Sequence, residues 1–206
     1  MSDVTCSMEA TSAVAAAAVE RRRRSMPNGW WGALLFIATE LTLFGALIAS
    51  YFYLRFQVAH WPPPGVEKPK VVLPLVLTGI LVATTVPLIL AGRAGVRDRP
   101  RLAWWLVALV FVGQGAYLGI QFHEFASDLD KFSPSATAYG SAYFTLLGLH
   151  HAHVAVGLLI EVWLLGRLLG GLTTYRLTAL RVAVLYGTFV NVLGIPIVLT
   201  QIYPSL

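Results

Sequence analysis

Five long apolar stretches, separated by short polar segments, dominate the chain. Each stretch is roughly 20 residues or more, and at about 1.5 Å rise per residue such a helix crosses a hydrocarbon core of about 30 Å. The pattern therefore predicts an all-α polytopic membrane protein, a bundle of five transmembrane helices. The predicted spans are Trp30–Leu54, Val71–Ala91, Leu102–Phe122, Tyr139–Leu165 and Val182–Ile202.

The polar segments predict how the rest of the chain is organised. We expect residues 1–28 to form a flexible basic cytoplasmic tail and residues 29–206 to form the five-helix membrane domain. The segment His123–Ala138 is predicted as the loop after the third span. Pro196 is expected to kink the last span, because a proline inside a helix removes a backbone donor.

The basic residues fall mainly on one side of the predicted membrane. Threading the chain through five spans leaves Arg55, Lys68, Lys70 and Lys131 on one side. The other side receives the eleven remaining basic residues: Arg21, Arg22, Arg23, Arg24, Arg93, Arg97, Arg99, Arg101, Arg167, Arg176 and Arg181. Because basic loops stay in the cytoplasm, we expect the amino terminus inside and the carboxyl terminus outside.

Composition supports a membrane protein and excludes other classes. The chain is 57% hydrophobic and only 12% charged, whereas soluble domains average about 25% charged residues. The net charge of +5 does not indicate nucleic-acid binding, because the arginines cluster at helix ends on one side. The single cysteine, Cys6, excludes an internal disulfide. The first apolar stretch is too long for a cleaved signal peptide, so we expect it to be retained.

Ionisable residues at membrane depth are the strongest candidates for function. Glu40 lies ten residues into the first span, and His150 and His153 lie near the middle of the fourth span, three residues apart and on one helix face. We therefore predict an intramembrane polar cluster of Glu40, His150 and His153. Its role is either to handle protons or anchor lipid, or only to hold two helices together. Glu161, by contrast, is expected to pair with Arg167 near the surface.

Three further groups of residues can be assigned from position. The third span carries a structural polar stripe that is expected to face protein rather than lipid: Gln114, Tyr117, Gln121 and Glu124. Cationic and aromatic side chains near the helix ends are typical of lipid head-group sites: Tyr51, Arg55, His60, Trp61, Arg93, Arg97 and Arg181. The remaining histidines are too far in depth from the central ones to complete a haem or zinc site, so no catalytic, cofactor or metal site is predicted.

Several strings resemble subunit III of the haem-copper oxidases. Phe36–Glu40, Trp61–Gly65 and Gln121–Phe125 are similar, in order, to the family's F-I-x-S-E, W-P-P-x-G and Q-x-x-E-Y motifs. Tyr139–Phe144 is similar to Y-G-S-x-F-F, and Gly148–Gly157 to G-x-H-G-x-H-V-x-x-G. The family commonly has seven spans, and this chain resembles its shorter five-span bacterial form.

The resemblance implies a function and a setting. It implies a non-redox accessory subunit of a cytochrome c or quinol oxidase in the bacterial cytoplasmic (inner) membrane. Such a subunit packs on the catalytic subunit I, with subunit II and further respiratory subunits nearby. Haem and copper are then expected in the partners, and bound phospholipid in this chain. The subunit would support assembly, lipid retention and stable proton uptake during oxygen reduction.

The chain departs from the family pattern in two places, and other functions stay open. His151 stands where the family has glycine, and Tyr186–Gly194 lacks the histidine and aspartate of the family's Y-W-H-F-V-D-V-V-W. Thr188 and Asn191 occupy those two positions. The alternative is a small proton-coupled transporter that uses Glu40 and the histidine pair. A free-standing b-type cytochrome is a third class, and the reduced substrate could be oxygen or nitric oxide.

Overall fold

The computed structural model describes residues 28–205. The predicted tail, including Cys6 and the four arginines Arg21–Arg24, lies outside the described residues, as does Leu206. Within 28–205 the structure is helical and contains no strand. Its elements are α1 (Asn28–Phe56), α2 (Val72–Ala83), α3 (Thr85–Val96), α4 (Pro100–Lys131), α5 (Ala138–Leu168), α6 (Thr174–Ile202) and a final 3₁₀ turn (Tyr203–Ser205).

Five helical segments are long and apolar enough to cross a membrane, which confirms the predicted number of spans. α2 and α3 together form the second span, interrupted only at Thr84. The interruption has a local cause, because Pro87 has no N–H to donate to the carbonyl of Ala83 four residues earlier. Pro196 lies inside α6, which is assigned as one helix from Thr174 to Ile202.

The predicted loop after the third span is shorter than expected. α4 continues to Lys131, so the first half of His123–Ala138 is helix and only residues 132–137 form the loop. α4 begins with Pro100 in its first turn, where the missing N–H is harmless. Thr137 is the N-cap of α5, and its hydroxyl accepts a hydrogen bond from the Gly140 amide at 3.0 Å.

The helices pack so that α5 and α6 connect the whole bundle. α5 packs against α1, α4 and α6, while α6 also packs against α1, α2 and α3. Within the described residues, α1 makes its helix contacts with α5 and α6. α3 and α6 approach closely at Gly187, where an added Cβ would lie 2.6 Å from Leu88 Cδ2.

The two ends of the bundle differ in charge. One end, which we call the cleft end, carries the loop of residues 57–71, the end of α4 and the start of α5. There the Trp61 and Tyr139 rings stack edge to face at 5.1 Å, and Lys70 pairs with Glu124 at 2.9 Å. The opposite end, which we call the arginine end, joins α4 to α5 through a hydrogen bond from Trp104 Nε1 to the Leu165 carbonyl. The described arginines at that end are Arg93, Arg97, Arg99, Arg101, Arg167, Arg176 and Arg181.

Candidate functional site

A carboxyl group and an imidazole ring meet between α1 and α5 at the middle of the bundle. Glu40 Oε2 lies 3.0 Å from His153 Nε2, and both side chains are mostly buried. The other ring nitrogen of His153, Nδ1, lies 2.8 Å from the Leu149 carbonyl of its own helix. Phe44 packs edge to face against the imidazole at 5.2 Å and shields one side of the pair.

The contacts of His153 limit how the pair can hold protons. The Leu149 carbonyl can only accept, so Nδ1 of His153 must carry a hydrogen. One further proton then lies between Nε2 and Glu40 Oε2, either on the carboxyl or on the ring. Because both arrangements have zero net charge, a proton can move across this hydrogen bond without placing a net charge inside the membrane.

His150 does not join this pair, although the sequence predicts a cluster that includes it. Its side chain is 1% exposed and turns toward α6, where a Cβ added at Gly194 would lie 3.4 Å from His150 Nε2. Tyr117 of α4 lies beside it, with the ring centroids 6.4 Å apart. The structure therefore places His150 and His153 on different flanks of α5, with His153 toward α1.

A second polar group joins three helices in the interior. Asn191 of α6 is 0% exposed, and its Nδ2 donates to the hydroxyls of Thr84 and Thr85 at 3.1 and 3.0 Å. Its Oδ1 accepts from Gln114 Nε2 of α4 at 3.3 Å. Sequence reasoning missed the two threonines. The adjacent Pro87 was the available signal, because a helix break turns nearby side chains toward new partners.

The polar stripe of α4 faces protein. Gln114 and Gln121 are buried, and Glu124 is partly exposed at the cleft end. The hydrogen bond and negative charge of Glu124 raise the pKa of Lys70 above its ordinary value of 10.5. One turn further along α4, Asp128 accepts from the Tyr143 hydroxyl at 2.8 Å.

A cleft of about 370 Å³ opens beside this stripe. It lies between the loop of residues 57–71 and the ends of α4, α5 and α6. Polar side chains from four elements line it, among them Lys70, Gln121, Asp128, Tyr143 and Gln201. The Gln201 amide donates to the Tyr143 hydroxyl at 3.0 Å, so α6 is tied into the same network. Sequence reasoning did not find this cleft, because its walls come from segments far apart in the chain.

The candidate lipid residues at the cleft end divide into buried and accessible members. Tyr51 and Trp61 are buried, and Trp61 Nε1 donates to the Tyr51 hydroxyl at 2.9 Å, so their rings belong to the protein core. Arg55 is partly exposed, with its guanidinium 6.0 Å from the Tyr203 ring centroid, and His60 is exposed. A head group at this end could therefore contact Arg55 and His60 rather than the two buried rings.

The other candidate lipid residues lie at the arginine end. Arg93 and Arg97 lie at the end of α3, both exposed, and Arg181 lies near the start of α6, partly buried. The two groups of candidate lipid residues are therefore at opposite ends of the bundle.

The expected surface pair of Glu161 and Arg167 is wrong. Glu161 is 3% exposed, and its Oε2 is buried without a hydrogen-bond partner. Arg167 instead lies over the Trp163 ring, 5.5 Å from the centroid. Trp163 and Arg167 follow Glu161 by two and six residues on the same helix, but Glu161 is buried in the bundle, whereas Trp163 and Arg167 are exposed. Within residues 28–205, no three His, Cys, Asp or Glu side chains are grouped so that they could hold a metal ion.

Comparisons with known proteins connect this architecture to one family. The family model for cytochrome c oxidase subunit III matches residues 16–204. The chain is 31% identical over 180 residues to cytochrome c oxidase subunit 3 of Bacillus subtilis, covering 85% of this chain and 86% of the relative. It is 29% identical over 181 residues to cytochrome bo(3) ubiquinol oxidase subunit 3 of Pseudomonas aeruginosa, covering 85% and 84%. It is also 31% identical over 176 residues to a probable cytochrome c oxidase subunit 3 of Mycobacterium bovis, covering 84% and 85%.

Proposed function

We infer the role of the chain from one premise: it belongs to the cytochrome c oxidase subunit III family and is an accessory membrane subunit of a haem-copper oxidase of the respiratory chain. We propose that it contributes stability rather than electron transfer. In this proposal it packs on the catalytic subunit I, with subunit II and further respiratory subunits close by. Haem and copper are assigned to those partners.

The relatives leave two electron donors for the complex. One relative is named as part of a cytochrome c oxidase and another as part of a ubiquinol oxidase. We therefore propose that the complex of this chain takes its electrons from one of these two donors, cytochrome c or a quinol. The family membership does not favour the proton-coupled transporter, which would have to act alone.

The contact of Glu40 with His153 is the observation that carries the structural part of the proposal. Within the described residues, it is the hydrogen bond that joins side chains of α1 and another span. α1 otherwise contacts α5 and α6 mainly through apolar side chains such as Phe44. Loss of this bond should weaken the packing of α1 against α5. We then expect weaker binding to the catalytic subunit through any surface that α1 and α5 form together.

The test replaces Glu40 in the assembled oxidase. Glu40→Ala removes the hydrogen bond. We expect the free energy that holds α1 to α5 to fall by about 1–2 kcal/mol, the upper range for side-chain hydrogen bonds inside membranes. Glu40→Gln keeps a donor for His153 Nε2 but removes the shared proton. Thr42→Ala is the matched control on α1, because the Thr42 hydroxyl bonds only the Ala38 carbonyl of its own helix.

The two substitutions separate a structural role from a proton-handling role. Glu40→Ala should lower the amount of this chain that co-purifies with the haem-bearing subunit and speed the decay of oxygen consumption during turnover. If Glu40→Gln restores both, the pair is structural; if it restores assembly but not turnover stability, the shared proton matters. The proposal fails if Glu40→Ala assembles and turns over like Thr42→Ala and the wild type.

The lipid role is proposed for the accessible cations at the two ends of the bundle. Arg55 and His60 at the cleft end, and Arg93, Arg97 and Arg181 at the arginine end, offer donors to phosphate head groups. Arg55 lies over the Tyr203 ring, and a cation beside an aromatic ring is typical of the membrane interface. Delipidation should lower the thermal stability of the complex, and added phospholipid should restore it. Unchanged stability after delipidation would count against this role.

The proposed orientation places the arginine end in the cytoplasm of a bacterial inner membrane. Its support is the excess of arginines at that end. In a Cys6→Ser background, Glu67→Cys should react with a membrane-impermeant maleimide from outside intact cells. Arg97→Cys should react only after the membrane is opened. The reverse pattern would contradict the orientation.

A further inference from the structure

The buried ring of His150 lacks hydrogen-bond partners within the described residues. Both of its nitrogens, Nδ1 and Nε2, are buried and unpaired, and so is Nε2 of the neighbouring His151. A neutral imidazole has one N–H that must donate and one nitrogen that must accept. Burial of two such groups without partners is costly enough that native structures usually satisfy them, often with internal water.

The surroundings of His150 contain few other polar groups. On α6, a Cβ added at Gly194 would lie 3.4 Å from His150 Nε2 and 3.4 Å from Leu81 Cδ2 of α2, so an apolar part of both helices lies near the ring. α4 presents Tyr117, with its ring centroid 6.4 Å from that of His150. On its own helix, His151 has its centroid 6.2 Å away, and His153 turns away toward α1. The titratable groups shown to face His150 are therefore His151 and Tyr117, and neither is a carboxylate.

Polar side chains lead from this ring to the cleft. The Gln121 side chain lies one turn along α4 from Tyr117 and close to its hydroxyl, and Gln121 lines the cleft. Gln121 itself is 2% exposed, although it lies at the wall of a cavity that is open at the cleft end. Residues 117 and 121 are four apart, so they share one face of α4, and on that face the Tyr117 ring lies beside the rings of His150 and His151 of α5. The resulting track runs from the cleft along α4 to His150 and His151.

We propose that this track is a water inlet that opens into the cleft and ends at His150 and His151. The cleft of about 370 Å³ holds on the order of ten waters, since each takes about 30 Å³ in the liquid. Beyond the cleft, the side chains of Gln121 and Tyr117 provide hydrogen-bond partners for water. The ring nitrogens of His150 and His151 provide the partners at the inner end of the inlet. The inlet ends at rings that lie toward α4 and α6, whereas His153 lies toward α1, so the inlet is separate from the Glu40 pair and does not rest on the proposed function.

The inlet supplies the hydrogen-bond partners that the ring of His150 lacks among the described side chains. Water at the ring nitrogens satisfies both the donor and the acceptor. It also lets protons of the ring exchange with the aqueous phase at the cleft end, although the ring is near the middle of a span. The ligand class of the site is therefore water, held as an ordered chain between α4 and α5.

The experiment uses the five histidines of the chain as probes. The full chain, labelled with ¹⁵N-histidine, is placed in phospholipid bilayers, and solid-state NMR measures magnetisation transfer from water to each ring. His150→Phe assigns the His150 signal by its loss. His60 and His123 are exposed and provide the wet reference. We expect His150 and His151 to receive water magnetisation in the wild-type chain.

Gln121→Leu tests whether the water enters through the cleft. The substitution replaces a polar wall by an apolar one, so transfer to His150 and His151 should slow by about twofold or more, with His60 and His123 unchanged. Gln57→Leu is the matched control, because it makes the same chemical change at an exposed position after α1.

Two results would overturn the inlet. If the wild-type His150 ring receives no water magnetisation while His60 and His123 do, the ring is dry. If Gln121→Leu leaves the transfer to His150 equal to that in Gln57→Leu, the water does not pass Gln121. Should Gln121→Leu fail to fold, the wild-type measurement alone still decides whether His150 is hydrated.

Discussion

Replacement of Asn191 by alanine removes three hydrogen bonds that join α6 to α4 and to the break between α2 and α3. Asn191 donates to Thr84 and Thr85 and accepts from Gln114, at 3.0–3.3 Å. Side-chain hydrogen bonds inside membrane proteins average about 0.6 kcal/mol in double-mutant cycles. The three together predict a loss of about 2 kcal/mol in the free energy of unfolding, a factor of roughly 30 in the folding equilibrium.

The assay is reversible unfolding of the chain in mixed micelles, followed by circular dichroism, for Asn191→Ala, Gln114→Ala and the double variant. The cycle isolates the Asn191–Gln114 contact, and we expect a coupling energy of about 0.6 kcal/mol. Thr188→Val is the control on the same helix. The Thr188 hydroxyl is buried without a partner, so its removal should leave stability unchanged or raise it slightly.

Two outcomes would refute the reasoning. If Asn191→Ala unfolds at the wild-type midpoint, the three hydrogen bonds contribute nothing to the fold. If Thr188→Val loses as much stability as Asn191→Ala, loss of any buried polar group, rather than of this network, explains the effect.

A separate expectation concerns catalysis. Because an amide does not titrate, Asn191→Ala should leave the pH dependence of oxygen consumption unchanged in the assembled complex. A shifted profile would mean that the position still affects proton delivery.

Three further predictions follow from single contacts. Gly140→Ala should lower the thermal unfolding midpoint clearly, because its Cβ would lie 2.6 Å from the Ser133 backbone carbonyl; an unchanged midpoint would mean that residues 132–137 shift freely. Trp61→Phe removes a buried hydrogen bond to α1 and should destabilise by about 0.5–1.5 kcal/mol, which chemical unfolding measures against the wild type. Lys70→Met removes the ion pair with Glu124 and should lower the free energy of unfolding at neutral pH. Because the pair raises the pKa of Lys70 above its ordinary value of 10.5, the pair contributes fully below pH 10.5. That contribution is lost as pH rises through the raised value, so the two stability curves should converge in strong alkali, and parallel curves would contradict the pairing.

The contact between Glu40 and a histidine of the fourth span shows how far the sequence alone could lead. Depth in the membrane follows from counting residues at a fixed rise per residue, so Glu40, His150 and His153 were expected at one height. Which histidine meets Glu40 depends on the rotation of α5 about its axis. The two candidates are three residues apart and differ by about 60° around the helix, and only packing against α1 and α6 selects His153.

Glu161 illustrates the opposite outcome. Its position near the end of a span predicted a surface pair with Arg167, because long side chains near helix ends usually reach the interface. The structure instead turns Glu161 into the bundle and Arg167 over Trp163. The residues around Glu161, Leu158–Ile160 and Val162–Leu165, are apolar on every side of the helix, so no polar stripe there marks the face that packs on protein.

Hydropathy and charge along the chain were enough to predict the features that depend on the membrane. Span number, depth and the sorting of charges follow from hydrocarbon thickness and from the high free energy of a charge in lipid, and both act on each segment separately. The polar contacts became visible only in the packed bundle: Asn191 with Thr84 and Thr85, Asp128 with Tyr143, and the cleft beside Gln121. These contacts join residues that are distant in the chain. They depend on how each helix is rotated about its axis and on the break at Thr84. Packing between helices sets both, whereas hydropathy along one segment carries no information about them.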